Sequence, residues 1–162
     1  MKAIVYTSEN GSTERYARVL SEKTGLPAYA LQDAIKVLPK GESILYLGWV
    51  MAGQIQGLKK AMEMYRTEAV CAVGLGMNME EEALRKSGGI KDELPVFPLM
   101  GDLEPEKLKG IHKLLISFMG KSLSKKQNLT EEEKRQRELF LHGAHAFDPK
   151  SLAPVLDWYN LK

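Results

Sequence analysis

The chain has 162 residues, of which 44% are hydrophobic and 27% charged, with a formal net charge of +2. These are the size and balance of one ordinary globular domain, residues 1–162. A charge so near neutral predicts no nucleic-acid partner, and no apolar run approaches the length that crosses a bilayer. The single cysteine, Cys71, has no partner for an internal disulfide. It sits in the apolar run Ala69–Val73, where a core role outweighs a nucleophilic one and a reducing, cytoplasmic setting is expected.

The chain starts directly on an apolar strand, Lys2 to Thr7, so no signal peptide is expected. The loop Ser8-Glu9-Asn10-Gly11-Ser12-Thr13 follows and leads into a helix from about Ser12 to Thr24. Tyr16, Ala17, Val19 and Leu20 line its apolar face, and Gly25 stops it. Pro27 to Leu31 reads as a short second strand and Ser43 to Gly48 as a third. Ile44-Leu45-Tyr46-Leu47 is apolar enough for burial on both faces. A helix over about Gln54 to Arg66, a fourth strand Ala69 to Gly74, a helix near Glu80 to Lys86 and a fifth strand Leu94 to Leu99 complete the rhythm. Such alternation with short links predicts an α/β domain with a parallel sheet between two helix layers and right-handed crossovers.

Parallel sheets of this kind take ligands beyond the carboxyl ends of their strands. Three loops leave those ends: Ser8 to Thr13, Trp49 to Gly53 and Leu75 to Met79. The first has the makings of a phosphate cradle, because N–H groups at a helix start point at an anion and the helix dipole favours negative charge there. It lacks the Gly-Lys-Ser/Thr ending of a triphosphate loop and the three glycines of a dinucleotide fingerprint. With no lysine or arginine inside it, the loop suits one phosphate held by neutral donors. The plainer reading makes Ser12 a helix cap and Gly11 a turn glycine. Trp49 and Met51 at one strand exit, and Gly74-Leu75-Gly76-Met77-Asn78 at the next, suit the walls of a flat aromatic site. The plainer reading makes both loops ordinary connections, with Trp49 and Met51 tucked back under the following helix.

Tyr6-Thr7-Ser8-Glu9-Asn10-Gly11-Ser12-Thr13-Glu14 resembles the Ser/Thr-x-Thr-Gly-x-Thr phosphate loop of the flavodoxin family, and the order of strands and helices agrees over the first hundred residues. The resemblance implies a flavodoxin-like three-layer sandwich. Its five-stranded parallel sheet would have the order 2-1-3-4-5, with FMN at the ends of strands one, three and four. Carried over by position, Ser8, Glu9, Asn10, Gly11, Ser12 and Thr13 would form the phosphate loop. Trp49, Val50, Met51, Ala52 and Gly53 would lie along one side of the flavin ring, and Gly74, Leu75, Gly76, Met77 and Asn78 along the other. Asn10 stands where the family usually has threonine. The third-strand loop lacks the common Ser/Thr-Pro-Thr-Tyr pattern, and the fourth lacks the usual stacking aromatic. Electron-carrier flavodoxins are generally strongly acidic, and this chain is not.

Met100 to Pro105 opens a segment that a plain flavodoxin does not have, an insert of about residues 101–148 before the last helix. Leu108, Ile111, Leu114, Leu115, Phe118 and Met119 fall at helical spacing. Residues 106–126 hold six lysines and one acid, and Gly120 is a plausible stop. A second helix from Thr130 to Phe140 opens on the capping box Thr130-Glu131-Glu132-Glu133. Pro149 to Tyr159 supplies the closing helix. The layout is similar to that of flavodoxin-like protoporphyrinogen oxidases, which carry a basic, partly helical insert, bind FMN and pass electrons to a membrane quinone. Such a helix either makes peripheral contact with an anionic membrane or a partner protein through Lys107 to Lys126, or packs its apolar face on its own domain with its lysines solvated. Packing is the favoured expectation.

His142-Gly143-Ala144-His145 lacks the further ligands a zinc site needs, so no metal is expected. No nucleophile elbow is present. A signalling receiver of the same fold would need paired acids after strand one and an aspartate ending strand three, where Thr7-Ser8 and Gly48-Trp49 stand instead. The resemblance, with these rivals set aside, implies an FMN-binding redox protein. It would be an electron carrier or an oxidoreductase with a protein or quinone partner, the protoporphyrinogen-oxidase type being the alternative.

Overall fold

A computed structural model describes residues 1–76 and 79–162. Met77 and Asn78, both expected at the flavin ring, lie outside the described residues. The chain forms two compact units: Met1–Gly101 with Phe147–Lys162, and Asp102–Ala146.

The first unit is an α/β sandwich. Its strands are β1 (Ala3–Thr7), β2 (Ala28–Ala30), β3 (Ser43–Met51), β4 (Gln54–Ile55), β5 (Arg66–Gly74) and β6 (Val96–Met100). Five of them pair in parallel in the order β2-β1-β3-β5-β6. The two-residue β4 pairs antiparallel with the end of β3. The expected count of five strands is thus corrected to six among the described residues. The extra strand arises because β3 runs on through Trp49-Val50-Met51 and turns back at Ala52-Gly53. Both turn residues have positive φ, 50° and 77°, the combination that two-residue hairpins favour. The helix expected from Gln54 accordingly begins only at Leu58.

Apolar residues alternate across the sheet because side chains along a strand point to opposite faces. Val5, Ile44, Tyr46, Val70 and Ala72 are buried on one face beneath α2 (Leu31–Val37), α3 (Leu58–Met64) and α4 (Glu81–Gly88). Ile4, Leu45, Leu47, Cys71 and Val73 are buried on the other. There they meet α1 (Ser12–Thr24), a 3-10 turn at Pro149–Leu152 and the closing helix of the chain. Cys71 is fully buried, and burial pushes its thiol well above the ordinary range.

The second unit holds α5 (Gly110–Lys125) and α6 (Glu131–His142); the closing helix of the first unit is α7 (Ala153–Asn160). Its neck is pinned by the Leu103–Ala144 bridge and by Ala146 N donating to Asp102 Oδ1 at 2.7 Å. The capping box at Thr130 forms, with Glu133 N donating to Thr130 Oγ1 and Thr130 N donating to Glu133 Oε2. Two expectations fail here. Gly120 does not end its helix; it is buried in mid-helix, where a Cβ would stand 3.0 Å from Leu141 Cδ2 and 3.3 Å from Phe140 Cβ. The glycine lets α6 come close. The apolar face of α5 is not packed away: Ile111, Leu114 and Phe118 are 74%, 72% and 70% exposed. Helical geometry puts Phe118 on nearly the opposite side from Gly120, so the side of α5 that meets α6 is not the Ile/Leu/Phe side.

Candidate functional site

The register aligns Thr7 with Gly48 in the β1–β3 pair, Trp49 with Val73 in the β3–β5 pair, and Gly74 with Met100 in the β5–β6 pair. The carboxyl ends of β1, β3 and β5 are therefore neighbours, and the three loops picked from sequence leave the same edge of the sheet.

The first loop is ordered by its own side chain. Ser8 Oγ accepts from Gly11 N at 3.2 Å and from Glu14 N at 3.4 Å. Gly11 takes φ 87° at the start of α1, a conformation that costs a residue with a Cβ about 1–2 kcal/mol. Ser12 and Thr13 are buried in the first helical turn, Ser8 and Asn10 are half-buried, and Glu9 is exposed. First-turn N–H groups have no acceptor within their own helix; Glu14 N turns back to Ser8 Oγ, and the loop itself carries the hydroxyls of Ser12 and Thr13 and the amide of Asn10, with no cation between Ser8 and Thr13. Gly101 lies beside this turn. Its N donates to Gly74 O, and a Cβ on it would lie 3.0 Å from Val73 Cγ1 and 3.4 Å from Ser12 Cβ.

The floor under this loop is a polar clamp in an apolar layer. Tyr46 Oη donates to Gln56 O at 2.7 Å; Thr7 Oγ1 donates to the same carbonyl at 2.7 Å and lies 3.1 Å from the phenol. Burial pushes the Tyr46 phenol far above its ordinary range. Gly57, at φ 78°, follows; a Cβ there would overlap Tyr46 Oη and Thr7 Cγ2. The clamp ties the end of β1 to the segment after β4, and so ties the first loop to the hairpin.

That hairpin carries Trp49, Val50 and Met51, all half-buried, the exposed Ala52 and the half-buried Gly53. Gly48 permits the return: a Cβ on it would stand 2.5 Å from Ile55 Cγ2 and 2.8 Å from Gln56 O. Ser87 Oγ of α4 donates to Gly53 O and holds the tip. On the next loop Gly74 is buried, Leu75 half-buried and Gly76 exposed at φ 87°. The buried Met79 lies over Gly74, whose hypothetical Cβ would also stand 3.3 Å from Val50 Cβ. The third loop thus leans on the hairpin through Met79 and Val50.

Ser8 also borders an open depression of about 500 Å³, lined by Tyr6, Thr7, Glu14, Leu31, Gln32 and Ile35 among others. It lies on the β2 flank of the loop, whereas the resemblance implies a ring on the β3 flank. The tyrosine Tyr6 in it is held above its usual range, first by burial and then by Glu14.

Sequence reasoning missed Tyr46, Gln56, Gly57, Gly101 and Arg15. Arg15, in the first helical turn, has its guanidinium 3.8 Å from the centroid of the Phe147 ring. Only its place two residues after Thr13 could have flagged it. Among the described residues no group of three or more His, Cys, Asp or Glu is arranged to hold a metal ion. No family model, curated protein or solved structure matches this chain.

Proposed function

We propose that the chain is an FMN-binding, flavodoxin-like redox protein, an electron carrier or oxidoreductase. The observation that carries this reading is the Ser8–Gly11–Glu14 knot, which opens α1 at the end of β1, a strand inside the sheet. A helix start dressed with Ser12, Thr13 and Asn10, none of them charged, offers hydrogen bonds and dipole to one phosphate monoester. The donor set fits the group, since the only acid in the loop, Glu9, is exposed. The parallel strand order around β1 and β3 supports the same fold reading.

In this reading Ser8 fixes the loop, Ser12, Thr13 and Asn10 bind the phosphate, and the Tyr46–Thr7–Gln56 clamp sets the distance to the hairpin. Trp49 to Gly53 and Gly74 to Gly76 flank the ring and exclude water from it. A bound flavin would supply the one-electron or hydride chemistry. The chain's contribution is orientation and the local field.

The test is a calorimetric titration of the purified chain with FMN and with riboflavin, alongside its visible spectrum as isolated. FMN is expected to bind and riboflavin to bind more weakly. Asn10→Asp places a like charge beside the phosphate and is expected to cost FMN about 1.5–3 kcal/mol, roughly tenfold to a hundredfold, with riboflavin unaffected. No heat with FMN, or equal affinity for both ligands, overturns the reading.

A further inference from the structure

Helix α5 presents one face that changes character along its length. Ile111, Leu114, Leu115 and Phe118 lie within its first nine residues, three of them at least 70% exposed. Lys121 and Lys125 continue the same side at seven-residue spacing from Leu114 and Phe118, the spacing that keeps residues on one helical stripe. Lys109, Lys113, Lys121 and Lys125 have no ion-pair partner among the described residues, whereas Lys107 and Lys126 are paired with Glu104 and Glu133. The opposite side of the helix is taken by α6 at Gly120.

We propose that this face docks on the surface of an anionic lipid bilayer, α5 lying in the interface plane with Phe118, Leu114 and Ile111 among the acyl chains and Lys121 and Lys125 on the headgroups. Three observations select that occupant. The apolar side chains form a ridge on a single helix; a fluid bilayer accepts a ridge, where a protein would need a groove shaped to it. The charged side chains of α5 itself, Lys113, Lys121 and Lys125, are all lysines, which complements acidic headgroups and repels a second copy of the same face. From Ile111 to Lys125 the helix spans roughly 21 Å, and no helix of the described residues is long and apolar enough to cross a membrane. It therefore lies on the surface. The proposal does not rest on flavin binding.

The test is flotation of the full chain with phosphatidylcholine–phosphatidylglycerol vesicles and with phosphatidylcholine vesicles. Binding is expected to the first and to be much weaker on the second. The double variant Leu114→Ser/Phe118→Ser is expected to lower partitioning on the order of a hundredfold. Lys121→Glu/Lys125→Glu is expected to lower it at least roughly thirtyfold. All four side chains are exposed, and thermal melting checks that each variant is folded. A dye on Phe118→Cys, the only accessible thiol because Cys71 is buried, is expected to shift to shorter emission wavelength on anionic vesicles. Failure to float, flotation that ignores Leu114 and Phe118, or a dimer broken by Phe118→Ser would each overturn the proposal. None of these readouts involves FMN, so failure here and failure of the cofactor reading are separable.

Discussion

At the scale of single residues, Glu68 shows how the end of the sheet opposite the three loops is held. Its carboxylate accepts from Lys162 Nζ at 2.7 Å and from Ser43 Oγ at 2.9 Å, and pairs with Arg66 at 2.8 Å. The bond from Lys162 is the main cause that holds its pKa down at about 2, against partial burial acting the other way. A carboxylate depressed in the folded chain stabilises it above the unfolded value, near 4.5, and that contribution is lost as pH falls through about 2. Both cations are substantially solvent-exposed, so the contribution is on the order of 1–2 kcal/mol rather than the full linkage value. Glu68→Gln should therefore lower stability by that amount at pH 7 and flatten its fall between pH 5 and 2. Denaturant melts across this range check it; parallel acid limbs for the two proteins would refute it. The same scale explains what the sequence hid in the candidate site. Ser8, Gly11 and Ser12 stand together in one short motif and could be read directly. The Tyr46–Gln56–Thr7 clamp joins residues up to 49 positions apart, and a tyrosine inside an apolar strand run carries no mark of a hydroxyl that needs partners.

At the scale of elements, the β3–β4 hairpin is the instructive case. Its turn places Ala52 at φ 50°, a conformation that Asn tolerates far better than Ala. Ala52→Asn keeps the backbone and the exposed position, and is expected to stabilise the chain by about 0.5–1 kcal/mol. A higher denaturation midpoint with an unchanged slope would establish it; a lower midpoint would show that the turn is held by something other than its own dihedrals. The missing Asn-Gly signal is also why this hairpin was not legible: Ala-Gly before Gln54 reads as the run-up to a helix. Where local signals were complete the reading held, as with the bounds of α1 at Ser12 and Thr24 and the capping box at Thr130. Gly120 was misread for a related reason. A glycine stops a helix by adopting positive φ after the last turn, and Gly120 instead serves as a contact point for Phe140 and Leu141. Sequence spacing sees the glycine but not the helix that needs it.

At the scale of the whole molecule, the two hydrophobic cores both belong to the first unit, one on each face of the sheet. The chain leaves that unit after Gly101 and re-enters it at Phe147. One hydroxyl bridges the two ends: Tyr16 Oη donates to Met100 O at 2.7 Å and accepts from Asp148 N at 3.1 Å. The exit and re-entry points are thus within reach of one short linker, and neither core loses a member if residues 102–146 are removed. Closing a short loop costs little chain entropy compared with closing the long natural excursion. Replacing 102–146 by a few Gly/Ser residues should leave a folded first unit with a cooperative thermal transition, while Tyr16→Phe in the shortened chain should loosen the junction and cost about 1–3 kcal/mol, because Asp148 N then loses its acceptor. Circular dichroism and melting of the two shortened chains decide the matter. A non-cooperative transition in the first would show that residues 102–146 are needed for the sheet to form, and an unchanged stability in the second would remove Tyr16 as the junction's clasp.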